Sequence, residues 1–594
     1  MEFKLFGSRL SSLIGKTPVF FSVLGIIAIC YDLGFNQSEI VQKAINLIYY
    51  VAIISGIIWT FINYVSGSQR FFLKVILFDL LSIFFFFYVL IHKIPSLHFL
   101  SFYHTEQIDL LLYLAVILAF VREFSALKFS FTQIFLNPAQ LFVLSFLSII
   151  LIGTFLLILP NATTESIGFI DALFTSTSAV CVTGLVVVDT GTDFTFFGQC
   201  ILLALFQIGG LGIMTFASYF SYFFRGGASY SSQLILGNFT NSNKLGEVFS
   251  TLKKIILVTF SIEFFGAIFI YYSIQDNEII ANSFFDQIFF SVFHAVSAFC
   301  NAGFIFFPNS LETSYVAYNY GLHGSILVLF IIGGLGFPIV FNLLKYLSYL
   351  FRNRLIPKLF NFEKNQKVTP WVLNLNSRIT LITTLLLLII GSIIFFIFEY
   401  NHTLQGHSSF GKVLLSIFSA ATPRSGGFNV VDTSALQFST TMLIILLMWI
   451  GASPASTGGG IKTSTFAVAT LNFWSLARGK NRIEIFRREV ADITVRRAFA
   501  IISLSLVSIG FGVFLISYFD SDKDLLRIAF ECFSAYCTVG LSLGISPELT
   551  AESKLVIITL MFTGRVSMLT LLIAFLKREK YKNYHYSKEE LLIN

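Results

Sequence analysis

The stretch Ser-Ala-Val-Cys-Val-Thr-Gly-Leu, residues 178–185, decides the fold of this chain because its pattern occurs four times. The other copies are Ser-Ala-Phe-Cys-Asn-Ala-Gly-Phe (297–304), Ala-Thr-Pro-Arg-Ser-Gly-Gly-Phe (421–428) and Ser-Ala-Tyr-Cys-Thr-Val-Gly-Leu (534–541). Their shared glycines, Gly184, Gly303, Gly427 and Gly540, are separated by 119, 124 and 113 residues. A fourfold repeat within one chain predicts four similar units arranged as a single ring.

The composition places this ring in a membrane. The 594 residues are 56% hydrophobic and 12% charged, with a mean hydropathy of +0.81, whereas a soluble domain carries about 25% charged residues. The net charge of +7 is small and unevenly placed, so the lipid bilayer is a predicted partner and nucleic acid is not. The six cysteines have no CxxC spacing, which argues against a zinc site or a disulfide framework.

A helix that crosses a bilayer needs about 20 apolar residues, and the long apolar runs of the chain predict the spanning helices. They lie near 18–34, 40–63, 71–91, 107–121, 138–160, 195–224, 255–274, 319–348, 379–399, 438–474, 498–519 and 555–575. Four runs too short to span precede the glycine motifs, at 169–181, 284–300, 408–421 and 524–537. We therefore predict an all-α polytopic membrane protein with four helix–pore-loop–helix repeats around one pseudo-fourfold pore, and about four extra N-terminal transmembrane helices.

This repeat divides the chain into five predicted regions. They are an N-terminal transmembrane extension (1–135), pore repeats 1 (136–240), 2 (241–365) and 3 with an intramembrane gating loop (366–490), and pore repeat 4 with a cytoplasmic tail (491–594). Basic residues concentrate in the loops at 225–254, 345–378 and 476–497 and in the tail, while the alternate loops are mostly acidic. The positive-inside rule therefore predicts a multi-pass protein of the cell membrane with both termini cytoplasmic and all four glycine loops entering from outside.

The glycine loops predict a cation filter. Backbone carbonyls can replace the hydration shell of an ion, but successive carbonyls point the same way only in conformations that glycine tolerates. One alternative is that each glycine merely caps its short helix, although four equivalent loops favour the filter. The predicted filter residues are Val182, Thr183, Gly184, Asn301, Ala302, Gly303, Ser425, Gly426, Gly427, Thr538, Val539 and Gly540.

Several longer motifs resemble one known family. Asp171 to Leu185 followed by Gln-Ile-Gly-Gly-Leu-Gly-Ile-Met-Thr-Phe (207–216) is similar to the first unit of the Trk/Ktr/HKT cation transporters. Gly-Gly-Leu-Gly-Phe-Pro (333–338), Thr-Pro-Arg-Ser-Gly-Gly-Phe-Asn (422–429), Ser-Pro-Ala-Ser-Thr-Gly-Gly-Gly-Ile-Lys-Thr (453–463) and Met-Phe-Thr-Gly-Arg (561–565) resemble signatures of the later units. The resemblance covers about 138–577.

This resemblance implies a potassium-translocating subunit of the TrkH/KtrB type. It implies K⁺ as the transported ion, held at the filter residues only, with no covalent cofactor. It also implies a homodimer and a cytosolic nucleotide-binding regulatory subunit of the RCK/KTN type. In the plant branch of the family, Ser at the first filter glycine accompanies sodium transport, so Gly184 implies a preference for potassium.

The chain departs from the family in three places. The third filter is Ser425-Gly-Gly427 where the family commonly has Thr-Ala-Gly, which changes its local stiffness. Ala455 and Gly458 stand where the family commonly has Gly and Ala. Residues 1–135 have no counterpart in the minimal family core.

The segment 451–464 interrupts an apolar stretch with Gly, Ser, Pro and Thr. Irregular backbone at membrane depth persists where it is buried in protein or lines water, so the segment predicts an intramembrane gate; a kink at Pro454 is the alternative. Arg565 lies within an otherwise uncharged span, and such a charge either serves function or is paired. It faces the pore below the filter or pairs with Glu263. The predicted gating residues are Gly458, Gly459, Gly460, Lys462 and Arg565.

Other function classes lack their sequence signatures. No HExxH, nucleophile elbow or aqueous phosphate loop is present, so the chain is not predicted to be an enzyme. Residues 107–121 contain no basic residue, which argues against a voltage sensor. The predicted function is channel-like potassium uptake gated by a cytosolic partner, and a sodium- or proton-coupled potassium symporter is the alternative.

Overall fold

The computed structural model describes residues 17–65, 73–93, 105–126, 138–212, 248–275, 283–307, 310–313, 316–350 and 373–576. Nearly every described element is an α-helix, which confirms the predicted all-α membrane fold. Seven of these helices are long and apolar enough to cross a membrane, and two bent helix pairs would raise that number to nine. The termini (1–16 and 577–594) and much of the basic loops at 225–254 and 345–378 lie outside the described residues.

Four helices form an N-terminal bundle, and its bounds agree with the four spans expected from hydropathy. They are α1 (Thr17–Gly34), α2 (Glu39–Val65), α3 (Leu73–Lys93) and α4 (Thr105–Ala126). Tyr49, Ile53, Leu112 and Ala115 belong to an apolar core shared by these helices. The bundle therefore buries side chains of its own.

The rest of the chain follows the predicted order of spanning helix, short helix, glycine loop and second helix. The helices are α5 (Pro138–Leu157), α6 (Phe169–Cys181), α7 (Phe196–Leu211), α8 (Val248–Ile274), α9 (Phe284–Cys300), α10 (Tyr320–Leu335), α11 (Phe337–Leu350), α12 (Leu375–Glu399), α13 (Ser409–Ala421), α14 (Phe438–Trp449), α15 (Thr463–Ala477), α16 (Asp492–Phe519), α17 (Leu525–Cys537), α18 (Ala551–Val566) and α19 (Met568–Phe575). Short helices α6, α9, α13 and α17 match the four predicted short runs within one residue. A hairpin of β1 (Glu484–Ile485) and β2 (Arg488–Glu489) joins α15 to α16.

Two predicted spans are broken rather than continuous. The span predicted at 319–348 bends by 105° between α10 and α11, and the span predicted at 555–575 bends by 86° between α18 and α19. The bends fall at Gly336, with φ +79°, and Ser567, with φ +72°. A left-handed residue redirects the chain without changing its hydropathy, so the apolar runs gave no sign of the breaks. The span predicted at 195–224 is described only to residue 212.

Candidate functional site

Each short helix ends in a glycine loop with the same backbone pattern. These glycine loops are residues 182–184, 301–303, 425–427 and 538–540. The residue two positions before each glycine has a positive φ: Val182 57°, Asn301 61°, Ser425 82° and Thr538 50°. The four glycines also have positive φ, between 72° and 93°, and the residue between does not. Four loops with different sequences therefore share a backbone in which left-handed residues alternate, as a carbonyl-lined filter requires.

The first three glycine loops contact one another in chain order. A Cβ built on Gly184 would lie 2.6 Å from the carbonyl oxygen of Ala302. A Cβ built on Gly303 would lie 3.3 Å from Cα of Gly184 and 3.1 Å from Cα of Gly427. No side chain fits at these positions, because approaches of about 3 Å are below ordinary van der Waals contact.

The fourth glycine loop closes the circle. A Cβ on Gly427 would lie 2.8 Å from the carbonyl oxygen of Val539. A Cβ on Gly540 would overlap the carbonyl oxygen of Thr183 in the first loop. The order 1–2–3–4–1 is therefore a closed ring in which backbone meets backbone, and we call it the glycine ring.

Buried hydroxyls hold each loop to its short helix. Ser178 and Ser534 accept hydrogen bonds from the N–H groups of Gly184 and Gly540, each at 3.1 Å. Ser297 donates to the carbonyl of Phe304 at 2.8 Å. These serines stand six residues before the glycine, which explains why the repeats share Ser-Ala at their start.

The third loop uses a different anchor. Its short helix ends in the right-handed conformation at Thr422, and the Thr422 hydroxyl bonds to both the N–H (3.1 Å) and the carbonyl (2.8 Å) of Phe428. Arg424, where the other loops have Cys, donates to the carbonyl and the hydroxyl of Thr384 in α12, both at 3.2 Å. The third glycine loop is thus anchored differently from the other three, and it is the loop that precedes residues 450–462 in the chain.

The residues 450–462 between α14 and α15 form an irregular loop against the glycine ring, which we call the intramembrane loop. Ile450 and Ile461 bridge its two ends, and the N–H of Ser453 donates to the carbonyl of Gly334 at 3.0 Å. The N–H of Gly459 donates to the Thr538 hydroxyl at 2.7 Å. A kink at Pro454 alone does not produce these contacts, since the loop is bonded to the second and fourth repeats.

Two cationic side chains bind the carbonyls of this loop. The Lys462 ammonium donates to the carbonyls of Gly458 and, at 3.3 Å, of Gly459. The Arg565 guanidinium donates to the carbonyl of Thr457 and, at 2.6 Å, to that of Gly209. Arg565 therefore joins the fourth repeat to the intramembrane loop and to the first repeat.

The alternative partner of Arg565, Glu263, has other contacts. Its carboxylate is buried and accepts a hydrogen bond from the Gln207 side-chain amide at 3.2 Å. The Cys300 thiol, at the end of the second short helix, donates to the Gln207 oxygen at 3.4 Å. Glu263 thus belongs to a polar group behind the second glycine loop.

Three of the second helices press a glycine onto the end of their short helix. A Cβ on Gly209, Gly333 or Gly564 would overlap a backbone carbonyl oxygen, of Val180, Phe299 and Tyr536 respectively. Each of these helices ends three residues later at a residue with φ between 72° and 79°. In this alignment Arg565 takes the place of Gly210 and Gly334.

Acidic side chains lie near the segments that follow the second and third glycine loops. The N–H of Leu311 donates to the carbonyl of Asn429 at 2.9 Å, which places the neighbouring Glu312 beside the exit of the third loop. Burial, and secondarily the charge of Asp432, raises the pKa of Glu312 to about 7. The carboxylate is therefore negative above neutral pH and neutral below it.

Comparison with known proteins decides the family. The family model TrkH, cation transport protein, matches residues 112–586. The chain belongs to the TrkH family. This is a family of cation transport proteins and not of enzymes. The predicted family and the prediction that the chain is not an enzyme are both confirmed.

The TrkH-family relatives match over nearly their full length. The chain is 37% identical to Ktr system potassium uptake protein B of Bacillus subtilis, over 77% of this chain and 96% of the relative. It is 34% identical to potassium/sodium uptake protein NtpJ of Enterococcus hirae, over 77% of this chain and 97% of the relative. The crystal structure of the potassium transporter TrkH from Vibrio parahaemolyticus has the same fold, with a TM-score of 0.58 and 15% identity over 84% of this chain and 98% of that one.

Within this TrkH-family chain, the structure brings the twelve predicted filter residues together in the glycine ring. The predicted gating residues lie in the intramembrane loop or, for Arg565, bind its carbonyls. Sequence reasoning missed Thr422, Gln207 and Asn429. A signal existed for Thr422, which is a hydroxyl residue displaced by one position from the serines of the other repeats. Gln207 and Asn429 stand at the ends of two quoted motifs, but the motifs do not reveal their contacts, which depend on how the helices approach one another.

Proposed function

We propose that this chain carries potassium into the cell through a filter made of the four glycine loops. Its ligands are carbonyl oxygens of Val182, Thr183, Gly184, Asn301, Ala302, Gly303, Ser425, Gly426, Gly427, Thr538, Val539 and Gly540. The closed ring of backbone contacts supports this proposal most directly, since such a ring surrounds one axis with oxygens and no charge. The names of the relatives from Bacillus subtilis and Enterococcus hirae support the choice of ion.

The intramembrane loop is the gate in this proposal. Gly458, Gly459 and Gly460 provide its backbone, and Lys462 and Arg565 hold it closed by binding its carbonyls. Opening requires the loop to leave the underside of the ring, which a cytosolic nucleotide-binding subunit of the RCK/KTN type would drive in a homodimeric assembly. In this proposal both termini and the basic loops are cytoplasmic. The chain consists of the N-terminal extension and four pore repeats, with bounds 1–135, 136–240, 241–365, 366–490 and 491–594.

Sodium-coupled uptake is the second candidate. One relative is named a potassium/sodium uptake protein. A channel-like pathway carries K⁺ at the same rate whether or not external sodium is present, whereas a symporter requires sodium or a proton gradient. Rubidium influx into liposomes with sodium omitted and the pH gradient collapsed distinguishes the two.

The test of the filter is Gly184→Ser, expressed in cells that lack potassium uptake. The added Cβ lies 2.6 Å from the Ala302 oxygen at a residue with φ +89°, so we expect rubidium uptake relative to sodium uptake to fall by roughly tenfold or more, which corresponds to about 1.4 kcal/mol. Gly510→Ser is the matched control, because a Cβ at Gly510 meets nothing within 4 Å. An unchanged rubidium-to-sodium ratio in the Gly184 variant would contradict the filter. No potassium rescue by the wild type, with or without a regulatory subunit, would contradict the function.

A further inference from the structure

The first residue of each glycine loop differs in chemistry between the two halves of the ring. Loops 1 and 2 begin with Val182 and Asn301, whereas loops 3 and 4 begin with the hydroxyl residues Ser425 and Thr538. The intramembrane loop lies against the hydroxyl half. The carbonyl cage alone does not explain why hydroxyl residues stand where the filter meets the intramembrane loop.

The hydroxyls join the intramembrane loop to a filter carbonyl through a continuous path. The Gly459 N–H donates to the Thr538 hydroxyl at 2.7 Å and to the Ser425 hydroxyl at 3.3 Å. The Ser425 hydroxyl in turn donates to the Thr538 carbonyl at 2.8 Å and lies 3.5 Å from the Thr538 hydroxyl. All three residues are buried, so water does not replace these bonds while the loop is in place.

The fit leaves no room between the intramembrane loop and the filter. A Cβ on Gly458 would lie 2.6 Å from Cβ of Ser425, and a Cβ on Gly459 would lie 2.7 Å from Cγ2 of Thr538. On its other side the loop is bound through its carbonyls by Lys462 and Arg565. The loop is therefore bonded through its carbonyls to cations and through an N–H to the filter.

We propose that Ser425 and Thr538 are positioning residues that couple the intramembrane loop to the ion-ligating strength of the Thr538 carbonyl. This inference rests on the proposed filter and gate and adds a link between them. With the loop in place, the Thr538 carbonyl accepts a short hydrogen bond from Ser425 and has less electron density to offer a cation. When the loop withdraws, the Thr538 hydroxyl no longer accepts the hydrogen bond from the Gly459 N–H. It then becomes an alternative acceptor for the Ser425 hydroxyl. If Ser425 donates to it, the Thr538 carbonyl is free to bind the ion.

The consequence is that selectivity depends on the state of the gate. When the Thr538 carbonyl binds the ion weakly, the four loops contribute unequally to the filter. The filter then discriminates between potassium and sodium differently than when all four loops contribute equally. Perturbing the loop should then change the potassium-to-sodium flux ratio as well as the flux. Removing the two hydroxyls should separate these effects.

The experiment reconstitutes the full-length chain in liposomes and measures rubidium and sodium influx for a mutant cycle. Lys462→Met weakens the hold on the intramembrane loop, and the double variant Ser425→Ala/Thr538→Val removes both hydroxyls while keeping similar volume. In the wild-type background, Lys462→Met should raise flux and shift the rubidium-to-sodium ratio by about threefold or more, as contacting residues couple. In the hydroxyl-free background, Lys462→Met should raise flux and leave the ratio unchanged.

Two further variants separate coupling from damage. Thr538→Ser keeps the hydroxyl without adding volume and should retain the wild-type response to Lys462→Met. Ser419→Ala removes a buried hydroxyl of the third short helix that has no hydrogen-bond partner in the described part of the chain, and should leave the response intact. An equal shift in the ratio with and without the hydroxyls overturns the coupling, as does a wild-type ratio that ignores Lys462→Met. If either of these results is obtained while Gly184→Ser still lowers the rubidium-to-sodium ratio, the proposed filter stands and only the coupling is wrong.

Discussion

At the scale of single residues, the proposed topology puts opposite charges on the two sides of the glycine ring. Glu312 and Asp432 follow the second and third loops, on the proposed outer side. Lys462 and Arg565 are each bound to carbonyls of the intramembrane loop, on the proposed inner side. In the proposed mechanism, outer acids raise the local cation concentration, and inner cations oppose the passage of an ion until the loop moves away.

The outer charge should make uptake depend on external pH. The pKa of Glu312 is raised to about 7 by burial and by Asp432, so its charge is present at pH 8 and lost as the pH falls to 6. Unit charges about 8 Å apart in water interact by roughly 0.5 kcal/mol, or about twofold in occupancy. We expect rubidium influx at low external concentration to be about twofold lower at pH 6 than at pH 8.

Glu312→Gln should remove this dependence and hold influx near the low-pH value throughout. The raised pKa also means that the folded state disfavours the ionised carboxyl, so this group lowers stability progressively as the pH rises from about 4.5 to 7. Asp432→Asn, which removes the secondary cause of the raised pKa, should move the midpoint to lower pH. An identical pH profile in wild type and Glu312→Gln would show that another group titrates.

At the scale of elements, three of the second helices pack a glycine closely against the end of their short helix. A Cβ at Gly333 would overlap the carbonyl of Phe299 and lie 2.8 Å from the Asn301 side-chain oxygen. Gly333→Ala should therefore destabilise the protein by about 1–3 kcal/mol, as overpacking does in a rigid core. Thermal unfolding of the purified protein in detergent measures the change.

Gly324, in the same helix α10, provides a matched control because a Cβ there meets nothing within 4 Å. Gly324→Ala should be neutral or stabilising by up to about 1 kcal/mol, because alanine is the better helix former. Equal unfolding temperatures for the two variants would mean that α10 moves away from the short helix at little cost.

The same elements explain how far the sequence predicts this fold. Apolar run length located the short helices within one residue, because a run too short to span and followed by glycine has few other structures available. It failed at Gly336 and Ser567, where a positive φ turns the chain. The Gly-Gly-Leu-Gly motif shared by 209–212 and 333–336 was visible, but its breaking of the helix depends on packing against the short helix. The partner of Arg565 was likewise undetermined, because a buried cation can be bound by carbonyls or by a carboxylate.

At the scale of the whole molecule, the ring is closed by contacts between its first and last repeats. Lys554 of α18 pairs with Asp171 of α6 at 2.7 Å. Arg565 reaches from the same helix to the carbonyl of Gly209. One chain therefore encloses the axis completely, and the continuous apolar core of the four repeats extends from Phe146 to Met561.

The N-terminal bundle stands apart from that core within the described part of the chain. Asp32 accepts hydrogen bonds from Tyr49 (2.9 Å) and Tyr113 (3.0 Å), each from a different helix. Arg122 pairs with Asp79 at 3.1 Å and with Glu123 at 2.8 Å. These polar groups are satisfied inside the bundle and tie its four helices to one another.

The described contacts between bundle and pore are concentrated where α1 ends. Asn161 donates to the carbonyls of Gly34 and Leu33, each at 3.1 Å, and Leu159 packs on Gly34. Removal of residues 1–127 should therefore leave the pore repeats folded and conducting, with rubidium influx per molecule within about twofold of the full chain, because two backbone-directed hydrogen bonds contribute only about 2 kcal/mol. Removal of residues 1–70 is the control, since it also removes an even number of spans but leaves α3 and α4 without their partners. This deletion takes Tyr49 and Ile53 out of the bundle core, so we expect the protein to aggregate in detergent. Loss of influx in a well-folded 1–127 deletion would instead make the bundle part of the transport pathway.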